Sequence, residues 1–262
     1  MGTLKFPLED RREKPRSTGL TMVIDKGMGL ASLADFLELN WSYVDFIKFS
    51  FGTSLIYPEK VLKEKIGLIK SYNVIPYPGG TLFEIALFQN KMEEYFNWLK
   101  ELGFSALEIS DGTINLPVGL RREAIRKARS AGFLVLTEVG KKDEKESLSL
   151  AETGRILEAD LQAGVDYIII EGRESGKGIF IYEIDGSINL ELFRGILAMV
   201  GERREKIIWE APLKKQQVFL IRELGNNVSL GNIPPEEVMA LEALRKGLRG
   251  DTFKLSLREA LL

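Results

Sequence analysis

Short apolar runs alternate along the chain with longer amphipathic ones. The apolar runs are residues 20–27 (LTMVIDKG), 44–53 (VDFIKFSFGT), 73–80 (NVIPYPGG), 106–112 (ALEISDG), 133–142 (FLVLTEVGKK), 167–176 (YIIIEGRESG), 206–212 (KIIWEAP) and 227–233 (NVSLGNI). Their length and β-branched content suit buried parallel strands. The segments between them read as helices. Pro58, Pro234 and Pro235 open two of these in the favoured first-turn position. Residues 83–103 place Ile85, Phe88, Met92, Phe96 and Leu99 on one face and stop at Gly103. Strands alternating with helices imply crossover connections and a parallel sheet. Eight such units, about 30 residues apart, predict an α/β fold with one closed (β/α)₈ TIM barrel over residues 20–262. Residues 1–19 form an arm or a cover for the barrel bottom. An open doubly wound sheet is disfavoured, because DKGMGLASL after the first strand lacks the GxGxxG fingerprint.

Composition narrows the chemistry. With 45% hydrophobic and 28% charged residues the chain is of ordinary globular type. Its formal net charge of -2 gives no reason to expect nucleic acid or an anionic membrane as a partner. There is no Cys and no His, which excludes thiolate nucleophiles, imidazole acid–base catalysis and the common zinc sites. No segment approaches the roughly 20 apolar residues of a membrane span. The charged N-terminal stretch lacks a signal-peptide core, so a cytoplasmic location is expected.

What remains is carboxylates, ammonium and guanidinium groups, and these collect at strand ends. Glu108, Glu138, Glu171 and Glu210 sit at nearly the same height on four consecutive strands, and one strand parity aims all four into the barrel mouth. Asp25, Lys26, Lys48 and Asp111 end other strands. Lys142 shares its parity with Glu138, and Arg173 shares its parity with Glu171. A lone pair of this kind would be structural. So many charges at the end where barrel enzymes keep their active sites points to chemistry. Clustered carboxylates suit Mg²⁺. Lysines and arginines beside glycines suit phosphate-like anions. A metal-assisted enzyme acting on a small, multiply anionic substrate follows, with a lysine as acid or base. A Schiff base on Lys48 or Lys142 is open on this reading.

The strings IDKG (24–27), DFIKF (45–49), YPGGTLFE (77–84), LEISDG (107–112), VLTEVGKK (135–142), IIEGRESGKG (169–178), EAPLKKQQV (210–218) and LRKGLRGDTF (244–253) cover nearly the whole chain. In these the chain resembles the phosphosulfolactate synthase family of coenzyme M biosynthesis; Ser50 and Phe51 depart from its pattern. The resemblance implies a barrel lyase that adds sulfite to phosphoenolpyruvate with Mg²⁺, giving 2-phospho-3-sulfolactate. It implies a homo-oligomer, with a trimer the expected form. By the same resemblance Lys142 is the general acid, supported by Glu138. Lys48, Arg173, Lys177 and Lys214 are candidates for holding phosphate and sulfite. Gly79, Gly80 and Gly231 would let backbone N–H groups approach the anion. Glu108, Glu138 and Glu171 are preferred as metal ligands over Glu210 and Asp25. A different phosphorylated acid as substrate, or a non-catalytic role like that of heat-stress-associated relatives, is the alternative. Residues 142–147 read as a lid or a solvated loop.

Overall fold

The computed structural model describes residues 4–141 and 148–259, with side chains to residue 255. The strands are β1 (Thr21–Asp25), β2 (Phe46–Phe49), β3 (Ile75–Pro78), β4 (Ala106–Ile109), β5 (Leu134–Val139), β6 (Tyr167–Ile170), β7 (Ile207–Glu210) and β8 (Ser229–Ile233). The helices are α1 (Leu30–Asn40), α2 (Glu59–Ser71), α3 (Thr81–Phe88), α4 (Met92–Leu102), α5 (Val118–Ser130), α6 (Leu150–Ala163), α7 (Leu190–Val200), α8 (Lys214–Leu224), α9 (Val238–Arg245) and α10 (Gly250–Glu259).

Each expected apolar run contains one strand. Apart from β8, each strand stops short of its run's polar end, which leaves the ladder to form the mouth loops. Neighbours pair in the order β3-β2-β1-β8-β7-β6-β5-β4, and every pair is parallel. β3 then lies against β4 without a hydrogen-bonded ladder, so the sheet makes a nearly closed barrel with one seam.

Alternation along the strands makes two cores. Leu20, Met22, Phe46, Tyr77, Ala106, Leu136, Ile169 and Ile208 fill the barrel interior. The opposite parity, including Val23, Ile47, Leu107, Val135, Ile168 and Trp209, packs outward under the helices. Burying an aliphatic side chain of this size contributes about 1.5–3 kcal/mol, and these side chains are almost completely enclosed.

One helix reading needs correction. The expected single helix over 83–103 is broken into α3 and α4, with Asn90 between them at a positive φ of 56°. Phe88 is consequently 83% exposed instead of core-facing. Asn tolerates the left-handed conformation, and its polar side chain favours such a turn. α4 then buries Tyr95, Phe96, Leu99 and Leu102 and ends at left-handed Gly103, as expected.

The N-terminal segment crosses the strand starts. Arg11 donates to Gly19 O and pairs with Glu242, Lys14 donates to the carbonyls of Val44 and Asn73, and Arg16 pairs with Asp45 at 2.8 Å. Among the described residues no helix is long and apolar enough to cross a membrane.

Candidate active site

The inward parity that buries Phe46, Ala106, Leu136, Ile169 and Ile208 recurs two residues later as Lys48, Glu108, Glu138, Glu171 and Glu210. Four carboxylates from β4–β7 and their ends thus meet one ammonium from β2, and none of the four is more than 2% exposed. Lys48 Nζ lies 3.1 Å from Glu108, 3.2 Å from Glu138 and 3.1 Å from Glu210. Burial alone would lower the lysine pKa. Glu108, Glu210 and Glu138 more than offset this and hold it well above the ordinary lysine value. In this arrangement the three carboxylates favour the ammonium form of Lys48.

Backbone N–H groups orient the acids. Gly80 N donates to Glu108 Oε1 at 2.7 Å, Gly172 N to Glu210 Oε2 at 2.9 Å, and Arg173 N to Glu171 Oε1 at 2.7 Å. Two glycines make the crowding feasible. Gly140 has φ 137°, and a Cβ there would lie 2.5 Å from Glu171 Cβ; a Cβ on Gly172 would lie 2.6 Å from the Tyr182 ring. Tyr182 in turn donates to the Glu210 carbonyl.

One carboxylate oxygen each from Glu138, Glu171 and Glu210 can be chosen so that all three lie within 4.8 Å of one another. Hard oxygen donors carried by three adjacent strands fit a divalent cation such as Mg²⁺. This group differs from the expected ligand set of Glu108, Glu138 and Glu171 in one member. Glu210, placed low among the candidates, belongs to the convergent group. Glu108 instead faces Lys48 and Gly80.

The cavity above these groups has a volume of about 170 Å³ and is also lined by Gly79, Gly80, Arg173 and Asn232. A larger groove of about 720 Å³ lies beside α1 and the ends of β1 and β8, lined by Asp25, Lys26, Phe36, Leu39, Glu236 and Met239. Among the described residues its lining shows no set of converging buried carboxylates like that of the smaller cavity.

Other expected site residues lie elsewhere. Asp25 has the outward parity and pairs with Lys65 on α2 at 2.6 Å, while accepting from Gly27 N and Met28 N. Lys214 pairs with Asp251 at 2.6 Å, outside the cavity lining. Lys177 is exposed and also outside that lining. Of the glycines expected to bind the anion, two have backbone N–H groups with acceptors inside the protein. Gly79 N bonds Phe49 O and Gly80 N bonds Glu108, while Gly231 is a packing glycine whose Cβ would lie 2.5 Å from Met22 Cε. Lys142 and the rest of the expected lid, 142–147, lie outside the described residues.

Its neighbour Lys141 is anchored, donating to Asp111 O at 2.6 Å and Ile114 O at 2.8 Å. Behind this loop buried Arg121 pairs with Asp160 and Asp111 and donates to the Glu138 carbonyl at 3.0 Å. Burial would lower the Arg121 pKa, but Asp160 chiefly, then Asp111, raises it. Burial pushes the Asp111 carboxyl up, with Arg121 and Lys141 opposing. Sequence reasoning missed Arg121, which reads as one more helix-surface arginine in LRREAIRKAR.

Comparison with known proteins adds an independent line. The model of the (2R)-phospho-3-sulfolactate synthase (ComA) family matches residues 9–251. Phosphosulfolactate synthase of Methanothermobacter thermautotrophicus is 47% identical over 255 residues, covering 97% of this chain and 98% of that protein. Phosphosulfolactate synthase of Bacillus subtilis is 38% identical over 258 residues, covering 97% and 100%. Among solved structures, 3-hexulose-6-phosphate synthase from Salmonella typhimurium superposes with a TM-score of 0.55 at 15% identity, covering 91% of this chain and 99% of that one. That last likeness concerns the barrel fold alone.

Proposed function

The chain belongs to the phosphosulfolactate synthase family, and on that premise we propose that its barrel mouth adds sulfite to phosphoenolpyruvate, forming 2-phospho-3-sulfolactate. The observation that carries this reading is the convergence of Glu108, Glu138, Glu171 and Glu210 around Lys48 at the mouth. In the reaction the sulfite sulfur bonds to the methylene carbon. The π pair moves onto the carbon bearing phosphate and into the carboxylate, and a proton completes the product.

Glu138, Glu171 and Glu210 would hold Mg²⁺, which when bound supplies charge stabilisation for the enolate-like substrate carboxylate. Lys48 keeps Glu108, Glu138 and Glu210 together before substrate arrives. It is already engaged by all three, so its role is preorganisation of the mouth. Arg173, exposed at the cavity rim, is the guanidinium available to an incoming phosphate or sulfite. Lys142 is the proton donor, and a lysine with an ordinary pKa of about 10.4 carries the required proton at neutral pH. The anchoring of Lys141 to Asp111 and Ile114 supports this division of labour, since it fixes the chain immediately before Lys142. Exposed Leu55, Ile56 and Phe88 are apolar surface that a homo-oligomer would cover.

The test is sulfite consumption by purified protein with phosphoenolpyruvate and Mg²⁺. Turnover by the wild type and near-abolition in Lys142→Ala, with folding intact, are expected. A wild type that leaves sulfite untouched overturns the reading. Light scattering addresses the oligomer.

A further inference from the structure

Strict alternation along β8 would turn Asn232 outward and Ile233 into the mouth, because Gly231 faces Met22 and Ile208 in the barrel interior. The structure does otherwise. The β1–β8 register pairs Thr21 with Leu230 but Val23 with Ile233, so β8 carries one extra residue against its partner. Asn232 absorbs the irregularity at φ 52°. Ile233 consequently packs in the outer core, fully buried, and Asn232 lines the mouth cavity. Bulges beside active sites commonly re-aim a side chain in this way.

The re-aimed amide is costly where it stands. Asn232 is 3% exposed, and among the described residues its Oδ1 has no hydrogen-bond partner. Left-handed backbone alone does not account for it, since glycine fills such a conformation without burying a polar side chain. The amide's chemistry does suit this cavity. A lysine placed there would pair with the acids, and a carboxylate would repel an anion. A neutral amide does neither, and its two ends exchange by a half-turn, so it can meet either an oxyanion oxygen or a hydroxyl.

We propose that Asn232 is a substrate-binding residue, its amide turned so that Nδ2 donates to an oxyanion oxygen of the sulfite or of the phosphate of phosphoenolpyruvate. This rests on the synthase reading above. It assigns β8 a part in anion recognition that the glycine-based expectation for LGNI had given to the backbone.

The experiment compares wild type, Asn232→Gly and Asn232→Asp, all compatible with positive φ. KM for each substrate and kcat are measured with Mg²⁺ present. Thermal unfolding is followed with Mg²⁺ and either sulfite or phosphoenolpyruvate alone. Asn232→Gly should fold at least as well as wild type and raise one KM about ten- to hundredfold, the range for one hydrogen bond to a charged partner. kcat should change less. The KM that rises identifies the oxyanion. Asn232→Asp should raise the same KM further, and both variants should lose the thermal protection that this anion gives wild type. Unchanged KM values and unchanged protection in Asn232→Gly overturn the assignment, leaving Asn232 a backbone device. Absence of wild-type turnover counts against the synthase reading alone, because protection still reports anion binding. Protection of wild type by neither anion overturns both.

Discussion

Replacing Lys48 by Met tests the site's electrostatic design most directly. The side chain keeps a similar apolar length, while the ammonium within 3.2 Å of three buried carboxylates disappears. Removing one partner of a buried ion pair typically costs 3–5 kcal/mol, and here one cation serves three acids. A loss at the upper end, about 5 kcal/mol, is therefore expected from a total stability of roughly 5–15 kcal/mol. For a chain of this size that corresponds to a fall of about 10–20 °C in Tm. Calorimetry in metal-free buffer measures it. The pH dependence has a definite sign. The folded-state pKa of Lys48 lies above its unfolded value, so the stabilisation is complete below about pH 10.4 and is lost only as pH rises further. The wild-type contribution is thus constant around neutrality. Mg²⁺ should restore more stability to the variant than it adds to wild type, through binding to the native state only. A Tm within about 2 °C of wild type at pH 7.5, a shift worth roughly 1 kcal/mol or less, would refute the idea that this ammonium holds the acids together.

Four further outcomes are expected. Arg121→Met leaves Asp160 buried without its cation and should cost about 3–5 kcal/mol in denaturant unfolding; an unchanged midpoint would contradict the role given to Arg121. Gly140→Ala forces a side chain into a φ of 137° against Glu171 and should lose roughly 1–3 kcal/mol. It should also raise the Mg²⁺ concentration needed for half-maximal turnover, and an unaltered Mg²⁺ titration would separate Glu171 from the metal. Chelation by EDTA should abolish sulfite consumption, with Mg²⁺ restoring it; activity that persists would remove the metal from the mechanism. Tyr182→Phe loses the donor to the Glu210 carbonyl and should cost about 1 kcal/mol, read as a lowered Tm with KM little changed.

The barrel was legible because its signals are local and periodic. Each strand run could be read on its own, and the inward parity of Glu108, Glu138, Glu171 and Glu210 follows from alternation alone. What stayed hidden depends on departures from periodicity or on partners distant in sequence. Asp25 ends a strand much as Glu138 does, yet it has the outward parity and belongs to Lys65. The extra residue in β8 reverses the facing of Asn232 and Ile233, and nothing in NVSLGNI announces it. Gly80 and Gly231 were visible as glycines, but the side chains that crowd them, Glu108 and Met22, come from other strands. Arg121 lies 39 residues from Asp160, so the hydrogen bonds between them are a product of the fold.

The seam between β3 and β4 makes the sheet a horseshoe whose tips are joined by side chains. Glu108 reaches across to the amide of Gly80, and Glu84 gathers Ser110 Oγ with the amides of Gly112 and Thr113. Roundness of the whole barrel therefore rests partly on acids at the rim, one of which also faces Lys48. Damage at Glu108 will loosen the two tips as well as the reaction chamber. Damage at Glu171, away from the gap, will spare the roundness and alter only the chamber.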